Sequence, residues 1–472
     1  ILERQCMGYG LNIDSIKRLK QTVYDLIITV DCGISNVEEV RFAKELGIDV
    51  IITDHHEPLD VLPPAVAVLN PKRPDEKYPY KFLSGVGVAF KLFQKLLKDF
   101  NFSDHYIYNN LDLVALGTIA DIVPLTGENR IIARYGLKKL KKTDNVGVSA
   151  LIKISGLSPG DIDSSDVAFI MAPRINACGR IDDPKLAVRL LTTENKEEAA
   201  FLARRLDEIN RRRQKIELDI MREAEQIIIK DNLQNEAGLV LYSKDWHAGV
   251  IGIVTSKLKE KFYRPVVLIS FDSEIGRASA RSIDGFPLHR ELSLCSDLLE
   301  KFGGHEMAAG FTIKRENIET FKTKFQELVA ERLGGEVPFP NLQVDSELDF
   351  NEINEELIQS LEALAPFGMK NQQPVFVTND ISVLESSLVG NNKKHLKLRV
   401  KKNGRQLNCI GFNLQNFYEK LYSPAQSINL AYSLSLNRFQ NETSVQLKIK
   451  DINFNQTFDF GGEDGKVEKI DP

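Results

Sequence analysis

Three consecutive residues able to bind a metal ion, Asp54-His55-His56, follow the apolar run Val50-Ile51-Ile52. The run reads as a buried strand, so the polar triplet sits where that strand ends. In an open parallel sheet, ligands collect just past the carboxyl ends of the strands. A carboxylate and two imidazoles at such an edge suit a divalent ion of borderline hardness: Mn²⁺, Zn²⁺, Fe²⁺ or Mg²⁺. A strand running into a polar loop is the alternative. Two more aspartates support the metal reading. Residues 22–31 form a strand ending on Asp31, and Gly33 lets the backbone turn sharply. Asp121 is a carboxylate in the apolar run 111–125, where an unpaired charge is costly. Read at a further strand end, it joins the same edge; an exposed loop aspartate is the alternative.

Two other groups of residues suit an anion. Arg174, Asn176 and Arg180 fall in a segment with Pro173 and Gly179 that reads as a turn. Guanidinium forks match phosphate oxygens, although surface salt bridges would use the same residues. Ser279, Arg281 and Gly303-Gly304-His305 combine a hydroxyl, a guanidinium and glycines that free backbone N–H groups. A helix start is expected after the diglycine, and a packed core histidine is the alternative for His305. The glycines of Ser84-Gly85-Val86-Gly87 read as close packing, because no lysine follows them as a phosphate loop needs.

These residues need elements to hold them. Asp31 and Asp54 end two strands joined by a helix from Val37 to Leu46, capped by Ser35-Asn36: a parallel strand–helix–strand unit. A second helix starts at Ser84 and runs to Lys98. Glu194 to Lys230 has no glycine or proline and reads as a helix on the order of 50 Å long, bridging domains. Its Arg211-Arg212-Arg213 run is either a solvated face or a nucleic-acid channel. A second α/β unit follows, with strands at 238–242 and 264–270 and a helix opening at Trp246-His247. After the linker Gly334–Pro338, five short strands (381–384, 396–400, 407–412, 428–436, 444–449) suggest a small β-barrel. Lys393, Lys394, Lys397, Arg399, Lys401, Lys402 and Arg405 form a basic patch on it, of the kind that holds single strands. The tail from Phe458 is acidic and reads as disordered.

At 472 residues the chain is too long for one core. Its net charge of −5 shows no general basic bias, so any nucleic-acid surface must be local. Five scattered cysteines without a paired spacing exclude a zinc ribbon or a disulfide framework and fit a reducing, cytoplasmic setting. No apolar run has membrane-spanning length, and no membrane association is expected.

Together the motifs resemble the DHH phosphoesterase family, in its single-strand-specific exonuclease branch. The resemblance rests on Val30-Asp31-Cys32-Gly33, Thr53-Asp54-His55-His56, Leu116–Asp121, Pro173–Arg180, Gly303-Gly304-His305 and Leu364–Asn371, in the family's order. It implies an α/β fold: a parallel-sheet DHH domain (1–193), a connecting helix (194–232), a smaller α/β DHHA1 substrate-binding domain (233–335), an OB-type β-barrel (340–456) and an acidic tail (457–472). It implies two Mn²⁺ or Mg²⁺ ions held by Asp31, His55, His56 and Asp121, with Asp54 as a ligand or a supporting residue. Arg174, Asn176, Arg180, Ser279, Arg281, Gly304 and His305 would bind the strand's terminal phosphate and backbone. Lys394, Lys397 and Arg399 would grip the strand farther along. The implied activity is 5′ to 3′ degradation of single-stranded DNA to mononucleotides in recombination and repair. The implied protein is a monomer that takes substrate from a helicase and a single-strand-binding protein. A phosphodiesterase for short oligonucleotides would lack the barrel. A non-catalytic replication or repair scaffold would have no need of the metal residues. The family's first motif, Asp-x-Asp, lies upstream of a stretch like Met7–Leu11, and nothing precedes Ile1. The expectation is an N-terminally incomplete chain, with weak metal binding and little activity until the upstream carboxylates are restored.

Overall fold

The computed structural model describes residues 10–22, 24–334, 340–390, 392–421, 427–439, 442–454 and 466–468. Two compact units result: Ile1–Val337 with Pro366–Asn371, and Pro338–Ala365 with Gln372–Pro472. The expected Met7–Leu11 stretch before Gly10, the linker beyond Gly334 and most of the acidic tail lie outside the described residues.

The first unit opens on a parallel sheet of β1 (Leu26–Val30), β2 (Asp49–Thr53) and β3 (Ala67–Leu69). Val30 pairs with Thr53, so β1 and β2 end side by side. The connection between them is helix α1 (Val37–Glu45), with Glu38 and Glu39 at its positive N-terminus. Helix α2 (Gly85–Asp99) starts on Ser84, whose side chain accepts the Gly87 N–H. The apolar run with Asp121 is helix α3 (Leu111–Ala120), and Asp121 is its C-terminal cap. The strand-end placement is thus corrected: the run is apolar all round because the helix is buried among its neighbours.

The segment with Arg174 and Arg180 is also helical, α4 (Ala172–Ile181), where a turn was expected. Pro173 lies in its first turn, directly after the wider π-helical segment Val167–Met171. The long helix α5 (Lys196–Lys230) is present, capped by Asn195. It does not stand in solvent between domains. Ala199, Leu202, Leu206, Ile209, Ile220, Ala224 and Ile228 form a buried stripe in a core shared with Leu137, Met171, Leu241 and Val254. Its three arginines are committed as well. Arg211 pairs with Asp207 at 2.9 Å, Arg212 donates to the Ile181 carbonyl at 2.7 Å, and buried Arg213 pairs with Glu217.

The second α/β layer is a five-stranded sheet, β4 (Leu239–Ser243), β5 (Val266–Phe271), β6 (Ile275–Arg281), β7 (Leu299–Gly304) and β8 (Ala308–Lys314), in the order 4-5-6-8-7. Helix α6 (Ala248–Phe262) connects the parallel pair β4 and β5. The diglycine opens no helix. It ends β7, and His305 N–H donates to the Ala308 carbonyl in a tight β-hairpin. Alternation of exposed and buried residues along β8 shows why: the segment is half-buried sheet.

In the second unit, β9 (Asn341–Gln343) and β10 (Ser346–Glu347) precede β11 (Phe376–Val389), β12 (His395–Lys402), β13 (Arg405–Gly411), β14 (Ser427–Phe439) and β15 (Glu442–Asn453). The last five pair in the order 11-12-13-15-14, and β14 returns to β11, closing a barrel. Its interior holds Leu396, Leu398, Val400, Cys409, Leu430, Tyr432 and Leu447. Part of the acidic tail has structure: β16 (Lys466–Glu468) pairs antiparallel with β9.

Candidate active site

Asp31 leaves β1 in the left-handed region, φ 64°, with its N–H bonded to the Thr53 carbonyl at 2.9 Å. This turns its carboxylate toward the end of β2. A Cβ on Gly85 would overlap that carboxylate, so the glycine at the start of α2 is needed for close packing. His55 Nε2 then lies 3.0 Å from Asp31 Oδ1 and 3.4 Å from Asp121 Oδ2. Asp31, His55 and His56 offer ligand atoms within 4.8 Å of one another.

Asp54 has a different place. It is 1% exposed, and its oxygens accept the N–H groups of Ile34, His55 and His56 and bond His56 Nδ1 at 2.7 Å. Burial opposes its charge, but these hydrogen bonds hold the carboxyl below the ordinary aspartate range. The bond to Asp54 raises the His56 pKa against the opposing effect of burial. Asp121 is raised, by burial first, with repulsion from Asp31 adding to it and the histidines opposing. His55 Nε2 is a buried nitrogen with no well-directed hydrogen bond, although two carboxylates face it. A divalent cation fits this donor set: two carboxylates and imidazole nitrogen, with Asp54 fixing the His56 ring.

A second constellation lies at one end of the five-stranded sheet. Ser279 pairs with Gly310, and Gly310 with Gly303, so β6, β8 and β7 place Ser279 and the diglycine in one row. Arg281 pairs with Ala308, close to His305. The Arg281 guanidinium donates to Ser256 Oγ, Ser279 Oγ and the Ala280 carbonyl. Burial lowers its pKa, and no carboxylate contributes to that shift. Gly252 on α6 leaves room above this pair, since a Cβ there would be 3.1 Å from Ser279 Oγ. Gly304 has φ 150°, and a side chain there would strike Ala309. His305 is exposed, so it is not a packed core histidine.

Arg180 reaches this region by donating to the Gly249 carbonyl at 3.2 Å. Arg174 does not. It is tied to Asp207 at 2.9 Å and to the Ile170 carbonyl at 2.7 Å. Asn176 is exposed on α4. On the barrel, Lys397, Arg399 and Lys401 alternate outward between the buried Leu396, Leu398 and Val400. Arg399 is paired with Glu385, and Lys394 is exposed. Sequence reading missed Ser256, Gly252 and Phe412. The first two sit on a helix whose charged residues, Lys257 to Lys261, lie beyond them toward its C-terminus. Phe412 is 57% exposed, with its ring 5.2 Å from that of His395; it is far from Lys393-Lys394 in the sequence, and only the pairing of β12 with β13 brings it there.

The fold and these residues define a protein of the DHH class with an appended barrel. Family models agree: the DHH family N-terminal domain matches residues 3–118, the DHHA1 domain 235–331 and the RecJ OB domain 344–451. More particularly, the chain belongs to the RecJ family. It is 41% identical over 460 residues to the single-stranded-DNA-specific exonuclease RecJ of Bacillus subtilis, covering 97% of this chain and 58% of that protein. It is 38% identical to the RecJ of Salmonella typhimurium, over 94% of this chain and 80% of that one. The crystal structure of Thermus thermophilus RecJ in complex with Mn²⁺ superposes with a TM-score of 0.82 and 30% identity, covering 94% of this chain and 64% of that one. A second Thermus structure, in complex with Mg²⁺, gives 0.73. The chain thus spans under two thirds of the Bacillus relative. Among the described residues, no helix is long and apolar enough to cross a membrane.

Proposed function

We infer that the protein is a metal-dependent exonuclease that degrades single-stranded DNA from its 5′ end to mononucleotides. The observation that carries this reading is the position of His55 Nε2 between the Asp31 and Asp121 carboxylates, in a chain of the RecJ family. Asp31, His55, His56 and Asp121 would hold Mn²⁺ or Mg²⁺ as a pair of ions, and Asp54 would orient His56. Bound divalent ions supply activation of water and stabilisation of the leaving oxygen in phosphodiester hydrolysis.

The chain's own groups do the rest. Arg281 and Ser279 bind the terminal phosphate, with Arg180, Gly304 and His305 around it; the desolvated guanidinium of Arg281 has no carboxylate partner among the described residues, which favours an anionic ligand. The domain limits proposed from sequence, 1–193, 194–232, 233–335 and 340–456, divide these roles. Lys394, Lys397 and Arg399 on the barrel hold the strand through its phosphates. The proposed setting is the cytoplasm, in recombination and repair, with a monomer fed by a helicase and a single-strand-binding protein.

The test is hydrolysis of end-labelled single and double strands with Mn²⁺ and with EDTA. Release of mononucleotides from the 5′ end of single strands, abolished by EDTA and by His55→Ala, supports the reading. Full activity in EDTA rules it out.

A further inference from the structure

The backbone of Ile122 lies in the left-handed region, φ 57°. Glycine enters that region freely and Asn or Asp tolerate it, but a β-branched side chain is strained there. Among the described residues with positive φ, Ile122 is the one β-branched residue. The conformation terminates α3, where glycine is the usual occupant: Asp121 N–H bonds to the Gly117 carbonyl and Ile122 N–H to that of Ile119. Packing does not explain the isoleucine, whose side chain is 67% exposed.

The strain is held from both sides. Upstream is the helix. Downstream, the Pro124 carbonyl accepts from Tyr80 Oη at 3.2 Å and Asn129 Nδ2 at 3.0 Å, and Leu125 N–H donates to the Met369 carbonyl at 2.8 Å. Strain so firmly imposed, with no packing gained, points to a use for the side chain it presents. Ile122 is the next residue in the chain after Asp121, whose carboxylate is 3.4 Å from His55 Nε2.

We propose that Ile122 is the apolar rest for the base of the terminal nucleotide as its phosphodiester lies against Asp31, His55 and Asp121. The assignment rests on the exonuclease reading and deepens it by one specificity contact. An aliphatic side chain has no hydrogen-bonding group. It covers the face of any base and reads no sequence, which suits an enzyme that must pass along every strand.

The experiment compares the unaltered protein, Ile122→Gly and Ile122→Leu on 5′-phosphorylated single strands with Mn²⁺, the terminal nucleotide being either normal or abasic. Ile122→Gly is expected to melt no lower than the unaltered protein, because glycine relieves the backbone, and to bind Mn²⁺ equally in calorimetry. Its KM for the normal strand should rise about tenfold, as expected for removal of one aliphatic side chain from the base, with the effect falling on KM rather than kcat. The unaltered protein should disfavour the abasic end, Ile122→Gly should not, and Ile122→Leu should restore the preference. An unchanged KM with an unchanged abasic penalty in Ile122→Gly overturns the proposal. So does a lower melting temperature accompanied by lost Mn²⁺ binding, which would make Ile122 structural only. Failure of the unaltered protein, expressed from its whole gene, to degrade either strand overturns the exonuclease reading and the base rest with it, so the two failures are told apart.

Discussion

Asp54 and Asp121 are both carboxylates of the Asp-His-His edge, yet their surroundings push them in opposite directions. Asp54 accepts three backbone N–H groups and is fully buried, so Asp54→Ala leaves buried donors unpaired. The expected cost is about 2–4 kcal/mol in denaturant unfolding, together with weaker Mn²⁺ binding from a loosened His56. Because its folded-state pKa is depressed, its charge stabilises the fold fully above the unfolded-state value, and that stabilisation is lost as pH falls through the folded-state value. Asp54→Asn should therefore flatten the acid limb of the metal-free protein's stability curve below about pH 4. Asp121 has a raised pKa, so its charge is a burden without a cation. Asp121→Ala should leave the metal-free melt unchanged or higher while abolishing hydrolysis. A large drop in melting temperature would contradict its assignment as a ligand.

At the scale of elements, the site depends on how closely α2 approaches β1. A methyl group on Gly85 would overlap the Asp31 carboxylate, whereas one on Gly160 meets nothing within 4 Å. Gly85→Ala should lower Mn²⁺ affinity and activity by more than tenfold, corresponding to a displacement cost above ~1.4 kcal/mol. Gly160→Ala should change neither. Calorimetric titration with Mn²⁺ reads both variants, and equal affinities would show that Asp31 is not positioned by this helix. The helical state of residues 111–120 matters for the same reason. A helix C-terminus brings Asp121 in from a direction that a third strand end would not.

Across the whole molecule, the two proposed grips on nucleic acid should fail differently. Arg281→Ala should erase the preference for a 5′-phosphorylated end, since its guanidinium is directed by Ser256 and Ser279. Charge removal at Lys394, Lys397 and Arg399 should weaken all single strands alike and flatten the salt dependence, by ~0.7 in log–log slope for each phosphate that is no longer neutralised. Arg399 should count least, because Glu385 already pairs with it. Phe412→Ala should cost ~1–3 kcal/mol of binding without changing that slope, because a stacked ring contributes no charge. Binding across a salt series, with and without the terminal phosphate, separates these outcomes. If the barrel variants distinguish the two ends and Arg281→Ala does not, the roles are reversed.

Much of this was legible in the chain itself. Strand ends at Asp31 and Asp54, the long helix and five barrel strands all follow from local periodicity and turn residues, which act within a few positions. Membership of the family was legible for a related reason, since its motifs are short and keep their order. Other features required the tertiary structure. Residues 111–120 and 172–181 are too apolar or too mixed for periodicity to tell helix from strand, and only packing decided both as helices. Arg174 and Arg211–Arg213 looked available for phosphate until Asp207 and Glu217, distant or on another turn, claimed three of them. The strained Ile122 carries no sequence signal at all. The residues that follow it are anchored by Tyr80 and Met369, and contacts across such separations are set by the fold, not by neighbours in the chain.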